Sequence, residues 1–453
     1  MPSKSKKEST KTFRYADLFS GIGGFAAVFE ALKGTQVYSV DIDEAASKIY
    51  SQNWGHPSLG DIVKDANDDV MNVGRHDILA GGFPCQPFSK SGAQKGMEET
   101  RGTLYFNILK IIDSHKPTIV LLENVRNLAG PRHRHEMEVI ISTLRERGYR
   151  VSDQPSIFSP HLLPKSKGGR PQVRERVFIT ATYNPKKIGE TAKIEPVVSA
   201  KPVSGWDPKN WDLATDLPLD VESTPTNCKL SASEILWIDA WDEWVKMYKR
   251  LSGKNPPGFP VWADAWVELS ELRIPHDTPK WKANFLKKNS EMYTIYKKEF
   301  DTWAQKWGVF TEKFPPSRRK LEWQAQNLGR LWDCVMHFRP SGIRAKKANY
   351  LPALVAITQT SIIGPLKRKL SPREAARLQG FPDGFSFEGQ SDAATYKQLG
   401  NGVNIGVVWY VLKQHVERDK DILSTTAVGK RIIDVVSGSP ESPDELLATM
   451  FPK

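Results

Sequence analysis

The chain contains 453 residues, of which 39% are hydrophobic and 26% charged, a balance typical of a soluble globular protein with two or three domains. No run of about eighteen apolar residues occurs, which excludes a membrane-spanning helix, and three cysteines are too few for a disulfide framework or a zinc cage. The formal net charge of +12 and the pI near 9.3 indicate a polyanionic partner, although an inert basic surface would give the same totals.

The start of the chain predicts a tail followed by a nucleotide site. Residues 1–14 are basic and lack an apolar stretch, so we expect a flexible tail rather than a secretory signal. A short apolar run then leads into a glycine turn, SGIGGF at 20–25, and a helical pattern. Strand, glycine turn and helix open a Rossmann-like site, because glycine lets a ligand approach the backbone and the helix start offers free N–H groups. The spacing is not G-x-G-x-x-G, so a dinucleotide is not specifically indicated.

Two acids follow at positions that favour ligand binding. A second predicted strand, residues 36–40, ends at Asp41, about twenty residues beyond the glycines, where an acid typically binds ribose hydroxyls. The alternative is a surface carboxylate at a strand end. Asp61 follows a helical stretch and is placed where it could read the edge of a base.

The run GGFPCQPFS at 81–89 carries the candidate nucleophile. It follows a short apolar strand, which its two glycines end. The prolines on either side stiffen the chain around Cys85, and stiff loops at strand ends are where α/β proteins place reactive side chains. A buried structural cysteine is the competing interpretation. Residues 91–102 are polar and contain glycine, which predicts a mobile segment.

An acid and two arginines are predicted near the same rim. A strongly apolar run predicts a buried strand that delivers Glu123 at its carboxyl end, the ligand side of an open α/β sheet. Cys85 and Glu123 therefore leave strands at one rim and could converge. The run QVRER at 172–176 enters a strand, on which Arg174 and Arg176 would share a face and hold a base carbonyl or a phosphate. A solvated carboxylate and surface ion pairs are the plainer alternatives.

From about residue 181 the alternation of strands and helices stops, and tryptophan and proline become frequent. A capping box at 231–234 predicts an amphipathic helix, and further helices are expected at 285–307 and 318–335. We interpret most tryptophans as packing residues rather than ligand platforms. Basic residues dominate 313–347 and alternate with aromatic ones, a pattern suited to phosphate contact.

The α/β character returns near the C-terminus. A helix is predicted from Ser371, a good N-cap, to Gly380, which ends it. A glycine-rich turn at 398–406 then opens an apolar helix. The residues beyond it show little pattern and are assigned to a tail.

In this order, the motifs resemble those of the DNA cytosine-5 methyltransferase family, in particular bacterial type II modification methyltransferases. The matching runs are DLFSGIGGF at 17–25, PCQ at 84–86, ENV at 123–125, QVRER at 172–176, and the segments 370–381 and 398–403. The resemblance implies an α/β fold, with a Rossmann-like S-adenosylmethionine-dependent methyltransferase domain and an inserted, mixed and partly helical target-recognition domain. The expected organisation is a flexible basic tail (1–14), a catalytic domain in two parts (15–180 and 366–415), a target-recognition domain (181–365) and a C-terminal tail (416–453).

The resemblance implies sequence-specific transfer of a methyl group from S-adenosyl-L-methionine to C5 of a flipped-out cytosine in duplex DNA, without a metal. C5 is a poor nucleophile, so the thiolate of Cys85 first adds to C6; a free thiol of pKa ~8.5 needs cationic neighbours for this. Glu123 would protonate or hydrogen-bond N3, and Arg176 would hold O2. Arg174 would support the thiol or a phosphate. The base must leave the stack for this chemistry.

Methyl-donor binding is assigned by the same resemblance. Phe19 would stack on the adenine, Asp41 would bind the ribose, and Asn401 with Gly402 would close the pocket; Asp61 and Ile62 would contact the adenine. The full expected set is Phe19, Gly21, Ile22, Gly23, Gly24, Asp41, Ile42, Asp61, Ile62, Gly82, Pro84, Leu104, Asn401 and Gly402. Many family members carry Trp at the place of Ile42 and Ser at the place of Gly402, so this chain lacks one stacking ring and one hydroxyl group.

DNA contacts are expected in two places. The segment 86–102 would close over the flipped base, and the basic run 337–347 of the recognition domain would read guanines or contact phosphates. The expected residues are Gln86, Ser89, Ser91, Arg101, Arg339, Arg344 and Lys346. The family commonly has a Thr-Leu pair late in this domain, where PAL stands at 352–354.

The expected partners are double-stranded DNA and a cognate restriction endonuclease that acts separately, with no membrane. We expect a monomer in the cytoplasm, associated with the nucleoid, of bacterial or phage type. Two alternatives stay open. An RNA methyltransferase of the related tRNA-modifying branch is disfavoured by the large extra domain. A DNA-binding regulator that has lost catalysis is disfavoured by the intact Cys85, Glu123 and Arg176.

Overall fold

The computed structural model describes residues 12–84, 103–187, 193–220, 226–354 and 360–452. The chain divides into two compact units. The first comprises Met1–Trp211, Pro352–Ile357 and Ala375–Lys453, and the second comprises Asp212–Leu351 and Thr358–Glu374.

The second unit therefore begins later than residue 181, the predicted start of the inserted domain. Part of the reason is tertiary packing around residues 206–211. The indole nitrogens of Trp206 and Trp211 both donate to the backbone oxygen of His161, each at 2.9 Å. These bonds hold residues 206–211 within the first unit, although their composition resembles that of the predicted inserted domain.

The first unit begins with alternating strands and helices. These elements are β1 (Arg14–Leu18), α1 (Gly24–Ala31), β2 (Thr35–Val40), α2 (Glu44–Trp54), α3 (Ile62–Asp65), β3 (Ile78–Gly82), α4 (Leu104–His115), β4 (Ile119–Val125), α5 (Arg134–Glu146), β5 (Tyr149–Val151), β6 (Ser156–Phe158), β7 (Gln172–Val173) and β8 (Arg176–Tyr183). The predicted strand, glycine turn and helix at the start of the chain are confirmed, as is the buried strand before Glu123.

The rest of the chain adds a second group of strands and then a helical end. Residues 212–379 contain α6 (Leu213–Asp216), α7 (Ala232–Ser252), β9 (Val261–Trp262), α8 (Lys280–Trp307), β10 (Lys320–Gln324), β11 (Cys334–Arg339), β12 (Gly342–Lys347), β13 (Leu351–Pro352), β14 (Ile362–Ile363), β15 (Arg368–Lys369) and α9 (Pro372–Gln379). The last helices are α10 (Asp392–Asn401), α11 (Ile405–Arg418), α12 (Lys420–Leu423), α13 (Ala427–Ser437) and α14 (Asp444–Met450).

Seven described strands of the first unit form one sheet in the order β2-β1-β3-β4-β8-β5, with β6 paired to β8. β2, β1, β3 and β4 are parallel, and β8 is antiparallel to β4. Residues 119–122 are fully buried, as expected for parallel strands covered on both faces. The carboxyl ends of the four parallel strands therefore share one edge of the sheet, where α/β proteins bind ligands.

The described strands of the second unit form a sheet in the order β15-β14-β11-β12-β10-β9. The helix predicted over 318–335 is wrong, because β10 and the start of β11 occupy this stretch. In β10 the buried residues Leu321 and Trp323 alternate with more exposed ones, and this period of two is that of a strand. The prediction failed because Leu321, Ala325, Leu328, Trp332 and Val335 also recur at the spacing of a helical stripe.

Tryptophan packing builds the core of the second unit, as predicted. Trp241, Trp244 and Trp303 are fully buried, and their rings lie 5.1–5.5 Å apart. The predicted capping box is also confirmed: the Ser231 hydroxyl accepts from the Glu234 backbone N–H, and the Glu234 carboxylate accepts from the Ser231 N–H.

The residues assigned to a C-terminal tail are helical rather than patternless. Ile432 and Val436 of α13 and Leu447 of α14 are buried. Within the ranges that the structure describes, no helix is long and apolar enough to cross a membrane.

Candidate active site

A cavity of about 430 Å³ opens at the carboxyl ends of β1 to β4, within the first unit. Its volume lies in the range of small-molecule sites, about 300–1,000 Å³. The lining residues are Phe19, Ser20, Gly21, Gly24, Phe25, Asp41, Asp43, Ala46, Gly82, Phe83, Pro84, Glu123, Asn124, Val125, Arg176, Gln398, Gly400, Asn401, Gly402 and Val403.

The turn after β1 forms one wall of the cavity. Phe19 has a φ of 54°, a left-handed conformation that costs a non-glycine residue about 1–2 kcal/mol. Gly23 has a φ of 94°, and a Cβ there would lie 2.0 Å from the Trp54 indole nitrogen. This indole donates to the Ile22 backbone oxygen at 3.0 Å. Trp54 therefore fixes the turn on the side that faces away from the cavity.

Asp41 stands at the end of β2 and connects two turns. Its Oδ2 accepts from the Gly21 backbone N–H at 2.7 Å, and its Oδ1 accepts from the Asp43 N–H at 2.8 Å. Burial raises the pKa of the Asp41 carboxyl, and hydrogen bonds from the backbone N–H groups of Asp43, Gly21 and Ile42 oppose this rise. A carboxylate has about four lone-pair sites. Asp41 therefore keeps capacity to accept from a ligand in the cavity.

The far wall is the turn between α10 and α11. Asn401 and Gly402 line the cavity there, as the resemblance implied. A Cβ on Gly24 would lie 2.6 Å from the Val403 side chain, so glycine lets α1 pack closely on this turn. The Lys397 ammonium, on α10, lies 2.9 Å from the Asp43 carboxylate across the rim.

Arg174 holds this far wall in place. Its side chain is almost fully buried at 1% exposure, and its guanidinium donates to the backbone oxygens of Leu354, Gly400 and Gly402 at 3.0, 2.8 and 2.5 Å. Burial, and then repulsion from Arg176, lowers the pKa of Arg174 to about 9, so it stays protonated near pH 7. Arg174 precedes β8 rather than lying in it, and the described partners of its guanidinium are backbone carbonyl oxygens.

Glu123 and Arg176 form an ion pair at the adjoining strand ends. The Arg176 Nε lies 3.0 Å from Glu123 Oε1, because β4 and β8 are antiparallel neighbours. A Cβ on Gly82 would lie 3.2 Å from Glu123 Oε2, so glycine makes room for the acid. Burial raises the pKa of Glu123, and the charges of Arg176 and Arg174 only partly oppose the rise. A buried acid with a raised pKa is suited to proton transfer.

Asn124 fixes the end of β3 from the neighbouring strand. Its side-chain nitrogen donates to the Phe83 backbone oxygen at 2.7 Å, and Asn124 is 3% exposed. This bond sets the direction in which the chain leaves β3 toward Pro84. Sequence reasoning did not assign Asn124 to the site, although its position directly after Glu123 was a usable signal.

The structure brings together part of the expected donor set. Phe19, Gly21, Gly24, Asp41, Gly82, Pro84, Asn401 and Gly402 line the cavity, whereas Ile22, Gly23, Ile42, Asp61, Ile62 and Leu104 do not. Ile42 is 78% exposed, Ile62 is buried in the core, and Asp61 accepts from the Val63 N–H at the start of α3. Lining residues that sequence reasoning missed include Ser20, Phe25, Asp43, Ala46, Phe83, Asn124, Val125, Gln398, Gly400 and Val403.

Several expected residues lie outside the described ranges. These are Cys85, Gln86, Ser89, Ser91 and Arg101. Pro84 is the last described residue before them, and it lines the cavity.

The expected recognition residues cluster on one face of the second unit's sheet. Arg344 and Lys346 are two apart on β12, and Arg339 lies on the adjacent strand β11. Burial and then the positive charge of Arg344 lower the pKa of both Arg339 and Lys346. The guanidinium of Arg344 pairs with Glu322 at 2.6 Å. Half-buried cations that repel one another favour an anionic ligand.

The fold and cavity are typical of an α/β enzyme with a ligand site at the edge of a parallel sheet, here with a buried acid beside it. The C-5 cytosine-specific DNA methylase family model matches residues 13–417, and the chain belongs to this family. The protein is therefore an S-adenosylmethionine-dependent methyltransferase that acts on C5 of cytosine in DNA.

Named relatives agree with this assignment over most of the chain. The type II methyltransferase M.AluI of Cellulosimicrobium cellulans is 46% identical over 97% of this chain and 98% of its own length. M.BanI of Aneurinibacillus aneurinilyticus is 30% identical over 88% and 95%. M.HhaI of Haemophilus parahaemolyticus is 28% identical over 90% and 95%. Both of these are also type II methyltransferases.

Proposed function

We propose that a cytosine flipped out of duplex DNA enters beside Glu123 and Arg176, where the Cys85 thiolate attacks C6 while the cavity holds S-adenosyl-L-methionine. The observation that carries this proposal is the buried ion pair, 3.0 Å long, on the rim that Pro84 also lines. Cys85 follows Pro84 directly in the chain and lies outside the described residues, and we propose that its thiol acts at this rim.

The cavity's chemistry suits the methyl donor. Asp41 has free lone pairs for ribose hydroxyls, and Phe19 offers a ring at the same wall. Asn401 and Gly402 supply polar backbone on the opposite wall. When bound, the donor supplies an electrophilic methyl group on a sulfonium.

The residues at the rim have distinct roles in the proposed reaction. The thiolate's electron pair forms the S–C6 bond, and negative charge moves into the ring toward N3 and O2. Glu123, whose pKa is raised by burial, donates a proton or a hydrogen bond to N3, and Arg176 stabilises O2. C5 then forms the bond to the methyl group while the bond between that methyl group and the sulfonium sulfur breaks, and the sulfur keeps the electron pair as a neutral thioether. Water acting as a base removes the C5 proton, the electrons of the C5–H bond re-form the ring double bond, and the S–C6 bond breaks to release the Cys85 thiolate. Glu123 takes back any proton that it gave to N3.

Arg174 takes a different role from the one that the motif suggested. Its three backbone partners include Gly400 and Gly402 of the donor wall. We therefore assign it as a positioning residue for that wall and not as a catalytic one.

DNA recognition is assigned to the sheet face that carries Arg339, Arg344 and Lys346. Arginine can bind guanine bidentately in the major groove, while lysine contacts phosphate or base. In this proposal the enzyme is sequence-specific and acts as the modification half of a type II restriction system, alongside a separate endonuclease. Gln86, Ser89, Ser91 and Arg101 contact the DNA around the flipped base.

The direct test replaces Cys85 with alanine. Methyl incorporation into duplex DNA should disappear, while DNA binding by gel shift should remain. Cys228→Ala is a matched control, because this thiol is buried in the second unit, and it should retain activity. Full activity of Cys85→Ala would refute the proposal.

A further inference from the structure

The first half of α8 combines cations with one exposed aromatic ring, that of Trp281, and the half-buried ring of Phe285. Residues 280–288 contain four lysines and no acid, and Trp281 is 61% exposed. A single exposed apolar side chain is ordinary, so the signal is the combination of this ring with the lysines around it. The known substrate of this enzyme, DNA, is a polyanion.

These rings form a row that leads to the sheet of the second unit. The ring centroids of Trp281 and Phe285 lie 6.1 Å apart, and those of Phe285 and Trp262 lie 5.6 Å apart. The Lys320 ammonium lies 5.8 Å from the centroid of Trp262. The row therefore runs from the exposed side of α8 to the edge strand β9.

Strand register makes this row continuous with the proposed recognition face. Trp262 pairs with Lys320 across β9 and β10, and Glu322 pairs with Arg344 across β10 and β12. Alternate residues of a strand point to the same side, so Lys320 shares the side of Glu322, and Lys346 shares that of Arg344. Trp262 thus belongs to the same face as the two cations that we assign to DNA.

Asn289 fixes the helix to this edge of the sheet. It is fully buried, and its Oδ1 accepts from the Trp262 backbone N–H at 2.7 Å. Its side-chain nitrogen donates to the Pro260 oxygen at 3.0 Å. The rings on α8 consequently have a defined position relative to the sheet, and the edge N–H is not left for another strand.

The geometry points to a second DNA contact on α8. We propose that Lys280, Lys287 and Lys288, with Trp281, bind the phosphate backbone of duplex DNA outside the bases that the sheet face reads; this rests on the proposed role of that face. Lys280 and Lys287 are seven residues apart and share a side of the helix, as do Trp281 and Lys288. The Lys288 ammonium also lies 5.7 Å from the Phe259 ring.

An acid, Glu291, lies close to this surface but does not neutralise its positive charge. Glu291 is 3.9 Å from Lys287, one turn along the helix. Both side chains are largely exposed at 63% and 45%, and an exposed pair of this kind contributes little. A phosphate can therefore replace the carboxylate as the partner of Lys287.

The test compares two duplexes that carry the target site, one just covering it and one extended by about one helical turn, about 10 base pairs, at each end. In the variant Lys280→Gln/Lys287→Gln/Lys288→Gln, the Kd for the long duplex should rise about tenfold at low salt. The slope of log Kd against log salt should become shallower by about 0.9 for each phosphate that the variant no longer neutralises. The Kd for the short duplex and kcat at saturating DNA should stay unchanged.

Trp281→Ala should weaken binding of the long duplex without changing the salt slope.

The control variant Lys201→Gln/Lys420→Gln/Lys430→Gln removes the same charge from exposed positions of the first unit. The inference would be overturned if the two triple variants bound the long duplex with equal affinity. It would also be overturned if the α8 triple variant lost the same affinity for the short duplex as for the long one. Failure of the proposed function is distinguishable, because it would appear as absent methyl transfer by every protein in the series, including the unaltered enzyme.

Discussion

At the scale of single residues, the chemistry depends on a competition at Glu123. Burial raises the pKa of this carboxyl, while Arg176 at 3.0 Å favours the ionised form. Burial prevails, so a larger protonated fraction persists near neutral pH than an exposed glutamate would have. The same guanidinium is available to hold the carbonyl oxygen of a base.

Glu123→Gln should therefore change both the rate and its pH dependence. The protonated acid is depleted as pH rises through its raised pKa, so kcat of the unaltered enzyme should fall on that limb. The amide cannot donate a proton as an acid, so the variant should be slower by about 100- to 10,000-fold. Its kcat should also not show this fall with rising pH. Single-turnover methylation at a series of pH values measures both effects.

Glu175→Gln is the control for that series. Glu175 neighbours Arg176 in the chain, but its side chain is 47% exposed, and it should keep the rate and the pH limb. The same limb persisting in Glu123→Gln would assign the titration to another group.

At the scale of elements, one buried arginine ties the connection between β7 and β8 to a distant turn. Arg174 contacts Gly400, 226 residues later in the chain, and Gly402 beside it. Gln379 supports the same turn by donating to the Leu399 oxygen at 2.6 Å. This wall of the cavity is therefore positioned by Arg174 and Gln379, which do not line the cavity themselves.

Arg174→Lys should weaken donor binding more than it slows the chemistry. A single ammonium cannot satisfy three separated carbonyls, and each one left buried without a donor costs about 1–3 kcal/mol. We expect the Kd for S-adenosyl-L-methionine to rise about tenfold or more, equivalent to about 1.4 kcal/mol. Titration calorimetry with the donor alone measures this, and kcat at saturating donor should fall less.

Arg170→Lys provides the comparison. Arg170 also donates to a backbone oxygen, that of Arg377, and pairs with Asp444 at 2.6 Å, but it does not line the cavity. Donor affinity should hardly change in this variant. A large drop in kcat with unchanged donor affinity in Arg174→Lys would instead favour a role at the thiol or a phosphate.

Local signals explain which elements could be predicted. The capping box at Ser231 and the glycine turn after β1 depend on neighbouring residues, so the sequence alone indicated them. The helix prediction for 318–335 failed because the apolar residues of this stretch fit a helical stripe as well as the alternation of a strand. The role of Arg174 depended on a turn far along the chain, which no local pattern contains.

At the scale of the whole molecule, the ordered motifs predicted which residues line the cavity more accurately than they predicted where the catalytic unit begins and ends. Cavity residues such as Phe19, Asp41, Gly82 and Asn401 were expected from the resemblance and do meet at one sheet edge. The limits of the second unit were not predictable, because they depend on tertiary packing such as that of Trp206 and Trp211 on His161. The helical C-terminus, by contrast, did have a local signal, because Val428, Ile432, Val435 and Val436 recur at helical spacing.

In the proposed reaction, Cys85 forms a covalent bond to C6 of the target cytosine. The most direct measurement uses duplex DNA with fluorine at C5 of that cytosine, after mapping methylcytosines in a host without cytosine methylation to locate the site. Fluorine cannot leave as a proton does, so the reaction should stop after methyl transfer with the S–C6 bond intact. With S-adenosyl-L-methionine present, we predict a complex that survives denaturation and whose peptide map places the DNA on Cys85. If no such complex forms, or if the DNA is attached to another residue, Cys85 is not the attacking nucleophile.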